Sequence, residues 1–282
     1  IQPAKAIFRF AAFNHLSKAA VFLDQNIDLL FVTYFLSKFN LASYNYAIKF
    51  SLMFLMFGNS ISRVTFPKLA RAFSRDDQEE ASRIYRLSIN YAFSLLSCGG
   101  LLFVIHADFL IQLVLPSEYL NIIPTLTILL GGLVLFGAFS SVGGVFSAHG
   151  KPHYNIFVDV PALFVNVGLC FILVPRVGME GAAMATAGTF VLRALCNIIL
   201  IRNKTSLDFS HTKLLLFTML YWCILFFTCI NFVPLVIGEI ILISFFILTL
   251  LVLLEQPERE IIKKEVRKIK SAYLSKSGGI YG

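Results

Sequence analysis

Charge is scarce in this 282-residue chain: Asp, Glu, Lys and Arg make up 14% of it, against 57% apolar residues. Lys and Arg are also almost missing from every second connection between the apolar runs. The five cysteines (Cys98, Cys170, Cys196, Cys223 and Cys229) have neither metal-ligand nor redox spacing and read as small apolar packing residues. The five histidines offer no zinc spacing, and His149 and His153 merely flank a loop lysine. No phosphate-cradling glycine loop is present, and no nucleophile sits with a base. The longest outer connection, about 107–121, holds only Asp108 and Glu118, too little for the metal site of a membrane glycosyltransferase or polymerase. An enzyme is therefore not expected, and neither is a cofactor. No Ser-, Gly- or Pro-rich linker divides the chain, so one membrane domain is the economical count. The chain opens at Ile1 without the features of a cleaved signal peptide, and it is expected to be the later part of a longer protein.

What is present is a series of long apolar runs. A helix needs roughly 20 mostly apolar residues to span the hydrocarbon core, and eight runs qualify: 7–36, 43–66, 87–106, 122–148, 154–174, 181–201, 214–230 and 233–254. Placing the N-terminus inside puts 19 of the 24 basic residues on inner segments and leaves only Lys38 and Arg176 outside. Lys18, Lys49 and Arg193 fall within spans. The positive-inside rule is satisfied in every short loop, so the expected fold is an all-α, polytopic bundle of eight transmembrane helices with both termini inside. The net charge of +8 sits beside these spans with no nucleic-acid reading motif, and attraction to anionic lipid heads accounts for it.

Two segments outside the spans have their own character. Ser74 followed by Asp77 resembles a capping box, and the stretch 74–87 is expected to form a short helix on the inner surface. The tail 258–276 spaces Ile261, Ile262, Val266, Ile269 and Tyr273 helically among basic residues. It reads as an interfacial helix or as a solvated basic tail.

Polar residues inside spans carry most of the functional information, because an ionisable side chain in hydrocarbon costs about 2.5 to 3.5 kcal/mol on insertion scales. The first run carries Asn14, Lys18, Gln25 and Asp28 within an arc of roughly 80°, with Asp24 just beyond it. Lys49 returns on the second run near the expected depth of Asp28, so the two should approach each other. The fifth run carries Asn155, Asp159 and Asn166 around Pro161, and the sixth carries Thr186, Thr189, Arg193 and Asn197. The simplest geometry places the first six helices around a hydrated cavity, with the last two outside. These residues could instead pair among themselves to lock the bundle. Small-residue contacts at Gly137 with Ser141, Ser140 with Gly144, and Ala183 with Ala187 already serve helix packing, however. Three acidic and three basic residues leave the sign of the cargo open. Arg193 is the residue suited to phosphate, since a guanidinium makes forked hydrogen bonds to its oxygens and stays charged when desolvated.

The stretch 166–186 (NVGLCFILVPRVGMEGAAMAT) resembles polysaccharide flippases of the multidrug/oligosaccharidyl-lipid/polysaccharide superfamily. Pro175 and Gly178 read as a tight outer turn, and Gly181, Ala182 and Ala183 as a close helix start. The Asp28 region with 42–49 (ASYNYAIK), 66–83 (FPKLARAFSRDDQEEASR) and 147–152 (SAHGKP) are similar too. Pro116, Ser117, Glu118 and Tyr119 depart from the usual Gly-acidic-Tyr pattern. The resemblance implies that 1–202 is the second six-helix lobe of a two-lobe transporter, 203–255 an extra helix pair and 256–282 a basic inner tail. It further implies transport of a lipid-linked oligosaccharide, bound through its pyrophosphate, across an inner membrane by alternating access. Lys18, Arg193, Asn14, Gln25, Asp159, Asn166 and Asn197 would line the cavity, while Asp24, Asp28 and Lys49 would couple an ion, H+ or Na+, or pair internally. The partner is a missing first lobe or a second subunit. The alternatives are a cation-coupled antiporter of organic cations and a non-transporting membrane scaffold.

Overall fold

The computed structural model describes residues 2–142, 144–205, 207, 212–229 and 235–253, and among these residues every regular element is helical. The chain runs α1 (Gln2–Phe35), α2 (Lys38–Ser74), α3 (Gln78–Ile105), α4 (Ala107–Val114), a 3-10 turn (Ser117–Ile122), α5 (Ile123–Ser140), α6 (Val145–Ala148), α7 (His153–Val177), α8 (Met179–Lys204), α9 (Thr212–Cys229) and α10 (Leu235–Leu253). Four stretches are long and apolar enough by themselves to cross a bilayer: Gln78–Ile105, Ser117–Ala148, His153–Val177 and Met179–Lys204. This is a multi-pass membrane protein. The α1 and α2 helices are longer still, at 34 and 37 residues, but their charged and amide side chains dilute the apolar signal. The basic tail 256–282 lies outside the described residues.

Packing follows from small residues at the crossings. The α5 helix lies against α8, α1 and α8 both lie against α7, and α2 packs on α3 and α5. At Gly132 an added Cβ would stand 2.5 Å from the Ala187 Cα, so the α5 and α8 backbones touch there. At Gly58 it would stand 2.6 Å from the Gly137 carbonyl oxygen, which does the same for α2 and α5. Such approaches give dispersion contact in a solvent that supplies no hydrophobic drive between helices. The α9 and α10 helices pack on the α3 side of the bundle: α9 meets α3 and α5, and α10 meets α3.

Two local expectations change. Residues 74–87 form no separate surface helix. Asp76 adopts a left-handed φ of 56°, Asp77 caps α3 by accepting from the Glu80 N–H at 3.0 Å, and Ser74 donates back to the Arg71 carbonyl. Ala81 and Tyr85 are fully buried, so this segment is the first turns of α3, held by packing. Pro175 lies inside α7 and forms no part of the outer turn. Gly178 alone reverses the chain, with φ of 74°, and Gly181 lets α8 close onto the Leu173 carbonyl.

Candidate functional site

The polar faces of α1, α7 and α8 meet inside the bundle. Asp24 and Asp28 sit one turn apart on the buried side of α1, and Arg193 projects from α8, where it is 1% exposed. Its Nη2 stands 2.9 Å from Oδ2 of Asp24, and its Nη1 donates to Oδ1 of Asp159 at 3.2 Å. Asn166 Nδ2 donates to Asp24 Oδ1 at 3.0 Å and to its main-chain oxygen at 3.2 Å. Ser17 Oγ donates to the second oxygen of Asp159. The guanidinium carbon also lies 5.8 Å from the centre of the Phe136 ring. One cation thus bridges two carboxylates and ties three helices together. In a low-dielectric interior such an arrangement persists only when the charges offset one another and the remaining lone pairs find donors.

Asp28 belongs to a separate network. It accepts from Tyr44 Oη at 2.7 Å, from Thr186 Oγ1 at 3.1 Å and from the Leu29 N–H at 2.8 Å. The expected pairing with Lys49 is absent, because Lys49 lies on the exposed side of α2. The α2 helix starts at Lys38, which sinks Lys49 about 16 Å from the hairpin, whereas Asp28 and Tyr44 both lie about 10 Å from it. Tyr44, missed in the sequence, is therefore the residue at the matching depth.

Arg193 is likewise not open to a phosphate, since both of its terminal nitrogens face carboxylates. Near the other end of the cluster, Ser147 Oγ donates to Asn14 Oδ1 at 3.1 Å and accepts from Asn155 Nδ2 at 3.1 Å, joining α1, α6 and α7. Asn197 donates to the Arg193 carbonyl. A cavity of about 130 Å³ adjoins Asp159, Asn155, Asn197 and Ser140, where α5 breaks before α6. That volume holds several waters. Among the described residues, the polar side chains expected to line a large hydrated space instead form a packed charge cluster with this small cavity beside it. Gln25 is half-buried, and Lys18 is exposed on α1. Glu239 of α10, also missed, stands 3.8 Å from His106, the residue that follows α3.

Residues 1–124 match the family described as polysaccharide biosynthesis protein. That match and the relatives below support the resemblance to polysaccharide flippases of the multidrug/oligosaccharidyl-lipid/polysaccharide superfamily. A probable low-salt glycan biosynthesis flippase, Agl15, of Haloferax volcanii is 21% identical over 211 residues, covering 75% of this chain and 45% of the relative. The capsular polysaccharide biosynthesis protein CapF of Staphylococcus aureus is 28% identical over 137 residues, 48% of this chain and 35% of CapF. The fold is similar to that of the lipid II flippase MurJ in its inward closed conformation, with a TM-score of 0.64 and 15% identity over 83% of this chain and 51% of that one. The chain thus spans about half, or less, of the length of these relatives.

Proposed function

We propose that this chain is the second lobe, with its extra helix pair, of a flippase for lipid-linked oligosaccharides. In this reading α1, α2, α9 and α10 complete eight spans with both termini on the inner side of a cytoplasmic membrane. A first lobe or a second subunit closes the cavity, and alternating access carries the pyrophosphate head between leaflets. The observation that carries the proposal is the exposed side of α1 and α2. Lys18 and Lys49 are both exposed, and both lie well within helices that the membrane must accommodate. Neither side chain has an ion-pair partner among the described residues, and an unpaired ammonium is disfavoured in hydrocarbon. These faces therefore line water, and a pair of unpaired cations suits an anionic head. The relatives named as flippases point the same way.

The buried cluster has a different task in this scheme. Arg193, Asp24, Asp159 and Asn166 hold α1, α7 and α8 as one body. The carboxylates outnumber the guanidinium, so a proton or a small cation such as Na+ in the cavity beside Asp159 would balance the surplus. That same surplus favours the second reading, an antiporter of organic cations.

The test is transport of a fluorescent lipid-diphosphate sugar by the complete protein in proteoliposomes. Lys18→Gln and Lys49→Gln should leave the protein folded, because both side chains are exposed, and should each lower transport about tenfold or more. Wild-type transport in both variants would remove the two lysines from the path of the head, whereas no transport of this substrate by the parent protein would favour a scaffold or an antiporter, and uptake of an organic cation against a proton gradient would identify the latter.

A further inference from the structure

The 3-10 turn Ser117–Ile122 lies against the start of α2 and carries Tyr119 into a cluster of three rings. The Tyr119 ring centre stands 5.4 Å from that of Phe39, tilted by 31°, and 5.1 Å from that of Tyr46, edge to face at 81°. Phe39 and Tyr46 lie about two helical turns apart and remain 41% and 36% exposed, so the half-buried Tyr119 props two rings that stay open to the outside. Polar groups stand at the rim. Asn121 Oδ1 accepts from Ser43 Oγ at 3.5 Å, which holds the amide against α2 with its nitrogen still able to donate, and Glu118 is exposed beside Tyr119. Rings at the end of a membrane helix often serve as anchors among the lipid headgroups. This cluster has another setting. Tyr46 precedes Lys49 by three residues on the same exposed face of α2, and in the flippase reading that face lines water.

We propose that Phe39 and Tyr46, propped by Tyr119, form a stacking platform for a sugar ring of the cargo at the outer mouth of the pathway. The inference rests on the flippase reading and adds to it a site for the glycan itself. A pyranose ring presents a face made largely of C–H bonds, with its hydroxyls around the edge. The face of an aromatic ring carries the negative part of its quadrupole, so the weakly positive C–H face settles on it. The edge hydroxyls then find a donor in the Asn121 amide and an acceptor in the Glu118 carboxylate. An apolar surface with a few polar groups at its rim is the usual build of a small-ligand site. Each of these contacts is weak. That suits a place of passage, where the glycan must be held long enough to be guided out and then let go. Stacking depends on the shape of the sugar ring more than on the order of its hydroxyls, so the platform tolerates more than one sugar.

The experiment uses the complete protein in proteoliposomes and the same fluorescent lipid-diphosphate sugar, with the unlabelled lipid diphosphate lacking sugar as competitor. Tyr46→Leu keeps an apolar side chain at an exposed position and removes the ring. It is expected to raise the apparent KM for the sugar-bearing substrate about three- to tenfold and to leave the inhibition constant of the sugar-free competitor unchanged. Tyr46→Phe, which keeps the ring, should behave as the parent. Phe39→Leu should repeat the result of Tyr46→Leu, and it carries the test if melting in detergent shows that Tyr46→Leu is misfolded. An unchanged KM in the leucine variants would overturn the platform and leave the flippase reading standing. A KM and an inhibition constant that rise together would also overturn it, because the rings would then serve packing or headgroup anchoring and not the sugar. No transport by the parent protein would remove the flippase reading itself, and the platform with it.

Discussion

Arg193 and Asp24 meet at 2.9 Å with each side chain 1% exposed, which makes this ion pair part of the packing of the bundle. Removing the guanidinium leaves two carboxylates in a low-dielectric interior. Arg193→Gln is expected to destabilise the protein by about 3 to 5 kcal/mol. Thermal unfolding in detergent should show the loss, and the double change Arg193→Gln with Asp24→Asn should recover part of it. A single variant as stable as the parent would show that the pair contributes nothing.

Asp28 and Lys49 should behave as independent sites. Exchanging them, Asp28→Lys with Lys49→Asp, is expected to rescue nothing, and the coupling in a double-mutant cycle should fall near zero. Tyr44→Phe, by contrast, strips a buried hydrogen bond from Asp28 and should cost about 1 to 3 kcal/mol. A strong favourable coupling between Asp28 and Lys49 would contradict this geometry.

Gly132 and Gly168 make a matched pair for packing. A methyl at Gly132 meets the Ala187 backbone, whereas at Gly168 it meets nothing within 4 Å. Gly132→Ala should cost about 1 to 3 kcal/mol through overpacking. Gly168→Ala should be neutral or slightly stabilising, since alanine restricts the unfolded chain and favours the helix. Melting temperatures of the two variants measured side by side decide the matter.

The start of α3 offers a separate test. Asp77→Ala removes the side-chain acceptor for the Glu80 N–H and should cost about 1 kcal/mol, whereas Ser74→Ala should be nearly silent. The reverse order would restore Ser74 as the cap.

Much of this layout is legible in the sequence because lipid imposes simple rules. The runs behind α3, α5, α7 and α8 are visible from length and apolarity, and the polar stripe of α1 is visible because Asp24 and Asp28 have no reason to face hydrocarbon. The identity of partners is harder to read. A stripe gives the angle of Arg193 but not the carboxylates across from it, so a residue suited to phosphate turned out to be occupied by Asp24 and Asp159. Depth estimates depend on where a helix begins, and the early start of α2 moved Lys49 past Asp28 and put Tyr44 in its place. The segment 74–87 misled because its charged residues look like a surface helix, whereas Ala81 and Tyr85 pack against neighbouring helices.

The α9 helix is fastened at two neighbouring points. Trp222 Nε1 donates to the Gly131 carbonyl of α5 at 2.9 Å, and Tyr221 is fully buried with its hydroxyl seated where Gly100 of α3 leaves room for it. A helix pinned in this way cannot stay behind when the bundle tilts. In the proposed flippase cycle, any rocking of the bundle would sweep α9 through the surrounding lipid like a keel, and the speed of that cycle would then respond to membrane viscosity as well as to the cargo.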